Sequence, residues 1–323
     1  MKILSRRSYK CRPAWDLVYE WEDQLSLSLG MKIKRRSRLG FWLCKQLASI
    51  GLTLPAREPD FMFQMRAMGP ERGRYNSSTV ACVIDYFVPE RLTDEYLKTL
   101  EVAPLTLFTS REAYEHVAAR LAESAGERVR IGHLPISLPD KYMPTEGQAF
   151  EKDIDVLIIG RLSPVLKGFL DRYVADHPSL VVAERRQADR HAAFYTSDGR
   201  CIGFGNTRRE YIDLLRRSRV IPYCTPGCDG EKATEGFSQV TPRFLELLAA
   251  GCQPLLRYRR NADSRWFGLE EFCPSIESYE DFVRELEKAL SRPADMERNR
   301  RYLAKHLTSQ RAAQLKQLLE DER

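Results

Sequence analysis

Two carboxylates bracket the most chemically suggestive stretch of the chain, EKATEGFSQVTPRFLELLAAGCQPLLR at residues 231–257. Glu235 precedes, and Glu246 lies within, a run of helix formers, RFLELLAA. Thr241 is a helix-capping type, and Pro242 suits a first helical turn because it lacks the N–H that would be orphaned there. Gly251 is placed to end the helix in the left-handed position just past its C-terminus, and QPLLRY follows as a short apolar strand. Exposed N–H groups and the positive end of a helix dipole suit a diphosphate. A carboxylate one turn inside the helix suits the hydroxyls of a ribose, so the outline is that of a nucleotide-sugar site. The same residues would also make an ordinary capped amphipathic helix with Glu246 on its wet face.

The elements needed to position such a site are legible on both sides of it. Residues 59–66, 78–88 and 104–110 read as strands, the second a continuous apolar run suited to a buried parallel sheet. Asp85 falls near the end of that run, where ligands gather in open α/β sheets. Helical patterns at 92–103, with Thr93 as the expected cap, and at 111–125 alternate with these strands. Residues 143–153 are polar with Pro and Gly and read as a linker, after which DIDVLIIGRLS at 153–163 restarts the strand pattern. Short strands at 179–184, 192–196 and 201–205, a helix at 209–218 and a strand at 220–226 lead into the glutamate loop. Amphipathic helices close the chain. Alternation of this kind predicts a doubly wound parallel sheet.

The order of motifs along the second half resembles the group 1 glycosyltransferases of the GT-B type, particularly their spore-maturation-like branch. The residues that carry the resemblance are Gly160, Arg161 and Leu162, a short loop, Lys167 and Gly168, then Glu235, Gly236 and Phe237, and finally Glu246 on a helix ending in Ala250 and Gly251. It is specific over about 153–290 and architectural before that. Ten residues separate the two glutamates, more than in the commoner form of the motif, with the extra length around Val240–Arg243. The resemblance implies an α/β GT-B fold, two Rossmann-like doubly wound domains facing a central cleft. The acceptor side would be 1–150, the donor domain 151–292, and residues 293–323 terminal helices able to cross back.

It implies roles as well. Arg161 and Lys167 would neutralise the donor diphosphate, which makes chemical sense because a departing nucleotide diphosphate gathers negative charge. Glu246 would hold the ribose hydroxyls, and Glu235 or the Gly236 backbone the donor sugar, with Phe237 and Thr241 beside them. Arg243 is either a further phosphate contact or a surface arginine. His133 and His191 are candidates to line the cleft, against the alternative of structural histidines. Asp85 is the candidate general base if the reaction inverts the anomeric centre. No metal and no cofactor beyond the nucleotide-sugar co-substrate are expected. The implied function is transfer of a sugar to a glycan or lipid-linked acceptor in cell-surface polysaccharide synthesis. A nucleotide-sugar epimerase and a non-catalytic nucleotide- or glycan-binding member of the family are the alternatives.

Composition bounds these readings. With 323 residues the chain is long enough for two cores, and 43% hydrophobic with 30% charged residues describes a folded, water-facing protein. A net charge of +6 with no recognition motif argues against a nucleic-acid partner. Eight cysteines are scattered without a CxxC pair, as expected of free thiols in a reducing cytoplasm, and Cys224 and Cys228 in CTPGC lack a second half for a metal site. The start, MKILSRRSYKCRPAWD, has no apolar core of a signal peptide, and no 18-residue apolar run follows, so a cytoplasmic protein is expected. Asp16, Glu20, Glu22 and Asp23 cluster in one helical pattern, as a solvated face or as acceptor contacts. Lys32, Lys34, Arg35, Arg36, Arg38 and Lys45 then accompany Leu39, Phe41, Trp42, Leu43, Leu47 and Ile50 at helical spacing. Residues 32–50 therefore read either as a contact with the anionic inner face of a membrane or as an ordinary helix with its apolar face in the core.

Overall fold

Continuous apolar strands need a sheet covered on both faces, and the chain builds two of them. The structure, a computed structural model, describes residues 1–10, 13–52, 59–71, 75–123, 129–188 and 191–320. The chain divides into two units. One comprises Met1–Asp140, Gly230–Gln239 and the chain from Leu307 onward, the other Lys141–Asp229 and Val240–His306. The glutamate loop at 230–239 thus counts with the first unit, and not with the stretch 151–292.

The first unit contains β1 (Lys2–Ser5), α1 (Pro13–Leu29), β2 (Lys32–Arg35), α2 (Arg38–Ser49), β3 (Asp60–Ala67), β4 (Thr79–Tyr86), α3 (Thr93–Leu100), β5 (Thr106–Phe108), α4 (Arg111–Glu123) and β6 (Ile131–His133). Its strands run in the order β2-β1-β3-β4-β5-β6, and all pairs are parallel. Seven of the eight residues of β4 are buried, which is what its unbroken apolar run requires. One core cluster gathers Tyr86, Tyr96, Phe108 and Val117 between this sheet and its helices. Thr93 does not cap α3. It is the first helical residue, and its hydroxyl donates to the Pro89 carbonyl instead.

The second unit contains β7 (Ile154–Ile158), α5 (Pro164–Asp176), β8 (Val182–Ala188), β9 (His191–Thr196), β10 (Cys201–Gly203), α6 (Arg208–Arg216), β11 (Ser218–Cys224), α7 (Arg243–Ala249), β12 (Gln253–Arg257), α8 (Ala262–Trp266), α9 (Leu269–Phe272), α10 (Tyr279–Ser291) and α11 (Met296–Ala304). Its strand order is β10-β9-β8-β7-β11-β12. The four strands β8, β7, β11 and β12 are parallel, and β9 and β10 extend the edge antiparallel. The last helix, α12 (Thr308–Glu320), belongs to the first unit and packs on α1. Among the described residues no helix is long and apolar enough to cross a membrane.

Candidate functional site

In each sheet the order of strands reverses beside the first strand of the unit, at β1/β3 in one and at β7/β11 in the other. Loops leaving the carboxyl ends of two such strands diverge to opposite faces, and the crevice between them is where open α/β sheets bind ligands. In the second unit the loop leaving β7 is Ile159 to Ser163. Gly160 has φ +72°, in the left-handed region, and a Cβ there would lie 2.6 Å from the Arg243 guanidinium. Arg243 opens α7, and its Nη1 donates to the carbonyls of Ile159 (2.9 Å) and Arg161 (2.8 Å). Arg243 is therefore a half-buried strut holding the Gly160–Arg161 turn, not a loose surface arginine. The Arg161 side chain itself is exposed at this edge.

Ser163 caps α5 by accepting from the backbone N–H groups of Val165 and Leu166. Lys167, one turn in, pairs with Asp171 at 2.5 Å on the helix surface. An exposed pair of this kind contributes only about 0.3–0.5 kcal/mol, so an arriving phosphate can displace the carboxylate. Thr241 does not cap α7 with its hydroxyl. The helix starts at Arg243 with Pro242 before it, while Thr241 donates its N–H to the Tyr223 hydroxyl at 2.8 Å and pairs with it through Oγ1 at 3.2 Å. Burial pushes the Tyr223 phenol up to about 12, so it stays a neutral tether between β11 and the helix start. At the other end Gly251 is left-handed (φ +67°). Its N–H bonds to Leu248 and that of Cys252 to Leu247, the paired bonds of a Schellman ending.

Glu246 is not on a wet face. It is 4% exposed, with Oε1 2.5 Å from Arg208 Nη2 and Oε2 accepting from the Tyr211 hydroxyl at 2.8 Å. Arg208 in turn lies over the rings of Tyr142 and Tyr211. Burial first, then the Glu246 charge, raises the Tyr211 phenol well above its ordinary value, which keeps it a donor to the carboxylate. At the carboxyl end of β12, Arg257 Nε donates to Asp229 at 2.7 Å and its Nη1 to Glu277 at 2.9 Å. Burial opposes ionisation of Asp229, but hydrogen bonds from Ser163 and Arg257 outweigh it and hold the carboxyl below its ordinary value. Sequence reasoning missed Arg208, Tyr211, Asp229 and Arg257, because their partners lie on other elements and no local spacing announces them. Arg257 as the last residue of a strand was the one available signal.

The remaining candidates, apart from His191 in the second unit, lie in the first unit. Glu235 is exposed, and is the one non-glycine residue with positive φ (51°) among those described, followed by Gly236 at φ +85°. Phe237 packs its ring on Tyr86 (4.8 Å) and His116 (5.2 Å). The Ser238 N–H donates to Glu112 at 2.8 Å, and Gln239 Nε2 to Asp85 at 3.1 Å. Asp85 also accepts from Arg66 Nε at 3.3 Å, so both its oxygens are engaged. His133 is buried at the end of β6, and burial, followed by the Arg111 charge, lowers its imidazole to about 4. His191 begins β9, with its side chain outside the described residues. Of the acidic cluster on α1, Glu22 and Asp23 pair with Arg7 at 3.0 and 2.9 Å. Burial raises the Glu22 carboxyl despite hydrogen bonds from Ser5 and Arg7. Among the described residues no group of three or more His, Cys, Asp or Glu is arranged to hold a metal ion, and the seven described cysteines are free.

Comparison with known proteins fits this geometry. Residues 182–317 match the family described as "Glycosyl transferase-like". AviGT4, described as a glycosyltransferase involved in avilamycin A biosynthesis, superposes with a TM-score of 0.57 at 11% identity, covering 99% of this chain and 97% of that one. An α,α-trehalose-phosphate synthase (UDP-forming) from Burkholderia xenovorans gives 0.54 at 13% identity, covering 95% and 85%. A chain of the GtfA/B complex gives 0.50 at 13% identity over 86% of this chain, which spans only 60% of that chain's length. No curated protein sequence matches. Residues 182–317 are thus similar in sequence to the glycosyl transferase-like family, and the chain that carries them has the two-unit GT-B fold.

Proposed function

We propose that the protein is a glycosyltransferase that moves a sugar from a nucleoside-diphosphate donor to a glycan or lipid-linked acceptor. The observation that carries the reading is the meeting of the Gly160–Arg161 turn with Arg243 at the carboxyl end of β7, beside β11, where the strand order reverses. A diphosphate at that edge would meet Arg161, Lys167 once released from Asp171, and the capped start of α5. In the transfer step an acceptor oxygen bonds to the anomeric carbon as the bond to the diphosphate oxygen breaks. The nucleoside diphosphate leaves with the electron pair, and fixed cations stabilise the charge it gathers. The reaction so drawn requires no metal.

Glu246, oriented by Arg208 and Tyr211, keeps lone pairs for the ribose hydroxyls. Glu235 and the Gly236 backbone would take the donor sugar, and Asp85 would serve as base if the reaction inverts. The named neighbours support a sugar-nucleotide donor: one is a UDP-forming synthase and another a glycosyltransferase. We extend the reading to cell-surface polysaccharide synthesis on the cytoplasmic side of a membrane, where free cysteines persist as thiols.

Thermal unfolding with UDP, GDP, CDP and ADP and their sugar conjugates tests the donor site. A ligand at 100 times its dissociation constant stabilises the native state by about 2.7 kcal/mol. We expect one base to stabilise the wild type, with the effect lost in Arg161→Ala, an exposed change, and reduced in Glu246→Gln. No stabilisation by any nucleotide would overturn the donor site. Binding without transfer would leave a nucleotide-binding protein, and turnover without an acceptor an epimerase-like enzyme.

A further inference from the structure

We infer that β2 and α2 form a docking surface for an anionic lipid bilayer, with α2 lying in the plane of the membrane interface. The inference uses no residue of the donor site and stands apart from it. α2 contains no buried residue. Among the described residues it is held to its unit by Phe41 beneath the Arg6 guanidinium at 4.1 Å and by Lys45 against Glu71 at 3.5 Å. Ser37 caps its start by accepting from the Gly40 N–H. The opposite face carries Leu39 (65% exposed), Trp42 (54%), Leu43 (45%), Leu47 (47%) and Ile50 (70%). At the angular step of a helix these five fall on one stripe, interrupted only by Gln46. The alternative in which this face enters the core is therefore wrong. A contiguous exposed apolar stripe of this kind marks an interaction surface.

Charge selects the occupant. β2 is the edge strand of its sheet, and Lys32, Lys34 and Arg35 on it are exposed. With Arg36, Arg38 and Lys45 they make six cations, and no acid occurs between Gly30 and Leu52. This one stretch thus carries a formal +6, the same as the net +6 of the whole chain. A second copy of the chain would oppose two such patches and be repelled. An anionic bilayer answers both features, taking the apolar stripe into its acyl boundary and the cations among its headgroups. Trp42 suits that depth, with an apolar ring and a polar N–H. A helix of 12 residues is about 18 Å long, too short to span the hydrocarbon and suited to lie along it.

The test is flotation of the full-length protein with vesicles of phosphatidylcholine alone and of an equal mixture of phosphatidylcholine and phosphatidylglycerol. We expect binding to the mixed vesicles that weakens as salt is raised. Leu43→Glu combined with Leu47→Glu should reduce affinity at least about tenfold. Lys32→Ser with Lys34→Ser and Arg36→Ser should remove the preference for anionic lipid. All five positions are at least partly exposed, so an unchanged unfolding midpoint will show that the variants still fold. Nucleotide stabilisation should be the same in wild type and variants, which separates failure here from failure of the donor reading. Absence of binding to the mixed vesicles, or binding unaffected by the two glutamates, overturns the inference. So does lipid-free, concentration-dependent association broken by Leu43→Glu, which would assign the face to a second copy.

Discussion

Glu235 holds a backbone conformation that its side chain disfavours. Left-handed geometry costs an L-residue about 1–2 kcal/mol, and glycine would adopt it freely. The turn is fixed by the Glu235 N–H on the Lys232 carbonyl and the Phe237 N–H on that of Thr234. We propose that a glutamate stands where glycine would be easier because its carboxylate serves the donor sugar. Glu235→Gly should therefore leave the unfolding free energy unchanged or raise it by up to about 1 kcal/mol, while glycosyl transfer falls by about a hundredfold. Denaturant unfolding and a transfer assay on the same variant check both halves, and a variant that keeps full activity would remove Glu235 from the site. Glu246 illustrates the limit of reading at this scale. Its identity and helical position were legible, but its burial was not, because Arg208 and Tyr211 reach it from α6, well upstream in the chain.

At the scale of elements, the pieces that matter are the turn after β7 and the start of α7, and each depends on the other. Gly160 must be glycine both for its φ and for the room Arg243 occupies against it. In Gly160→Ala the left-handed φ costs about 1–2 kcal/mol, and the guanidinium is pushed off two carbonyls. Nucleotide stabilisation should disappear in that variant. Gly168→Ala is the control. It sits inside α5 with nothing within 4 Å of an added Cβ, and should gain about 0.5–1 kcal/mol while nucleotide still binds. Equal nucleotide shifts in Gly160→Ala and wild type would show that the turn does not form the phosphate edge.

From β3 onward most of the order of strands and helices was readable from apolar runs and from the terminator at Gly251, since those signals are local. β1, β2 and β6 were not, and Lys32–Arg35, within a stretch read as helix, is an edge strand. Caps were not readable either. Thr93 and Thr241 each have the right side chain in the right place, and each spends its hydroxyl on another partner, Pro89 in one case and Tyr223 in the other. The fate of the α2 stripe was equally undecidable from spacing, because a buried and an exposed amphipathic helix have the same periodicity.

Across the whole molecule the chain is interleaved more than its motif order suggests. The first unit is completed by two segments that arrive late in sequence. Gly230–Gln239 is fastened by Phe237 on Tyr86 and His116, and α12 by Thr308 on the Leu138 carbonyl and by its buried Leu315. No composition shift marks either segment, since what assigns them is packing against residues far earlier in the chain. A consequence is that damage near the C-terminus should register in the N-terminal core. Leu315 is fully buried, and Leu315→Ala should cost about 2–5 kcal/mol. Because a chain with two cores need not unfold in one step, calorimetry is expected to resolve two transitions. Leu315→Ala should lower one of them, and the nucleoside diphosphate that stabilises the wild type should raise the other, with the nucleotide shift unchanged by the substitution. If Leu315→Ala instead abolished the nucleotide shift while leaving the protein folded, α12 would have to act on the donor site as well as on the core it completes.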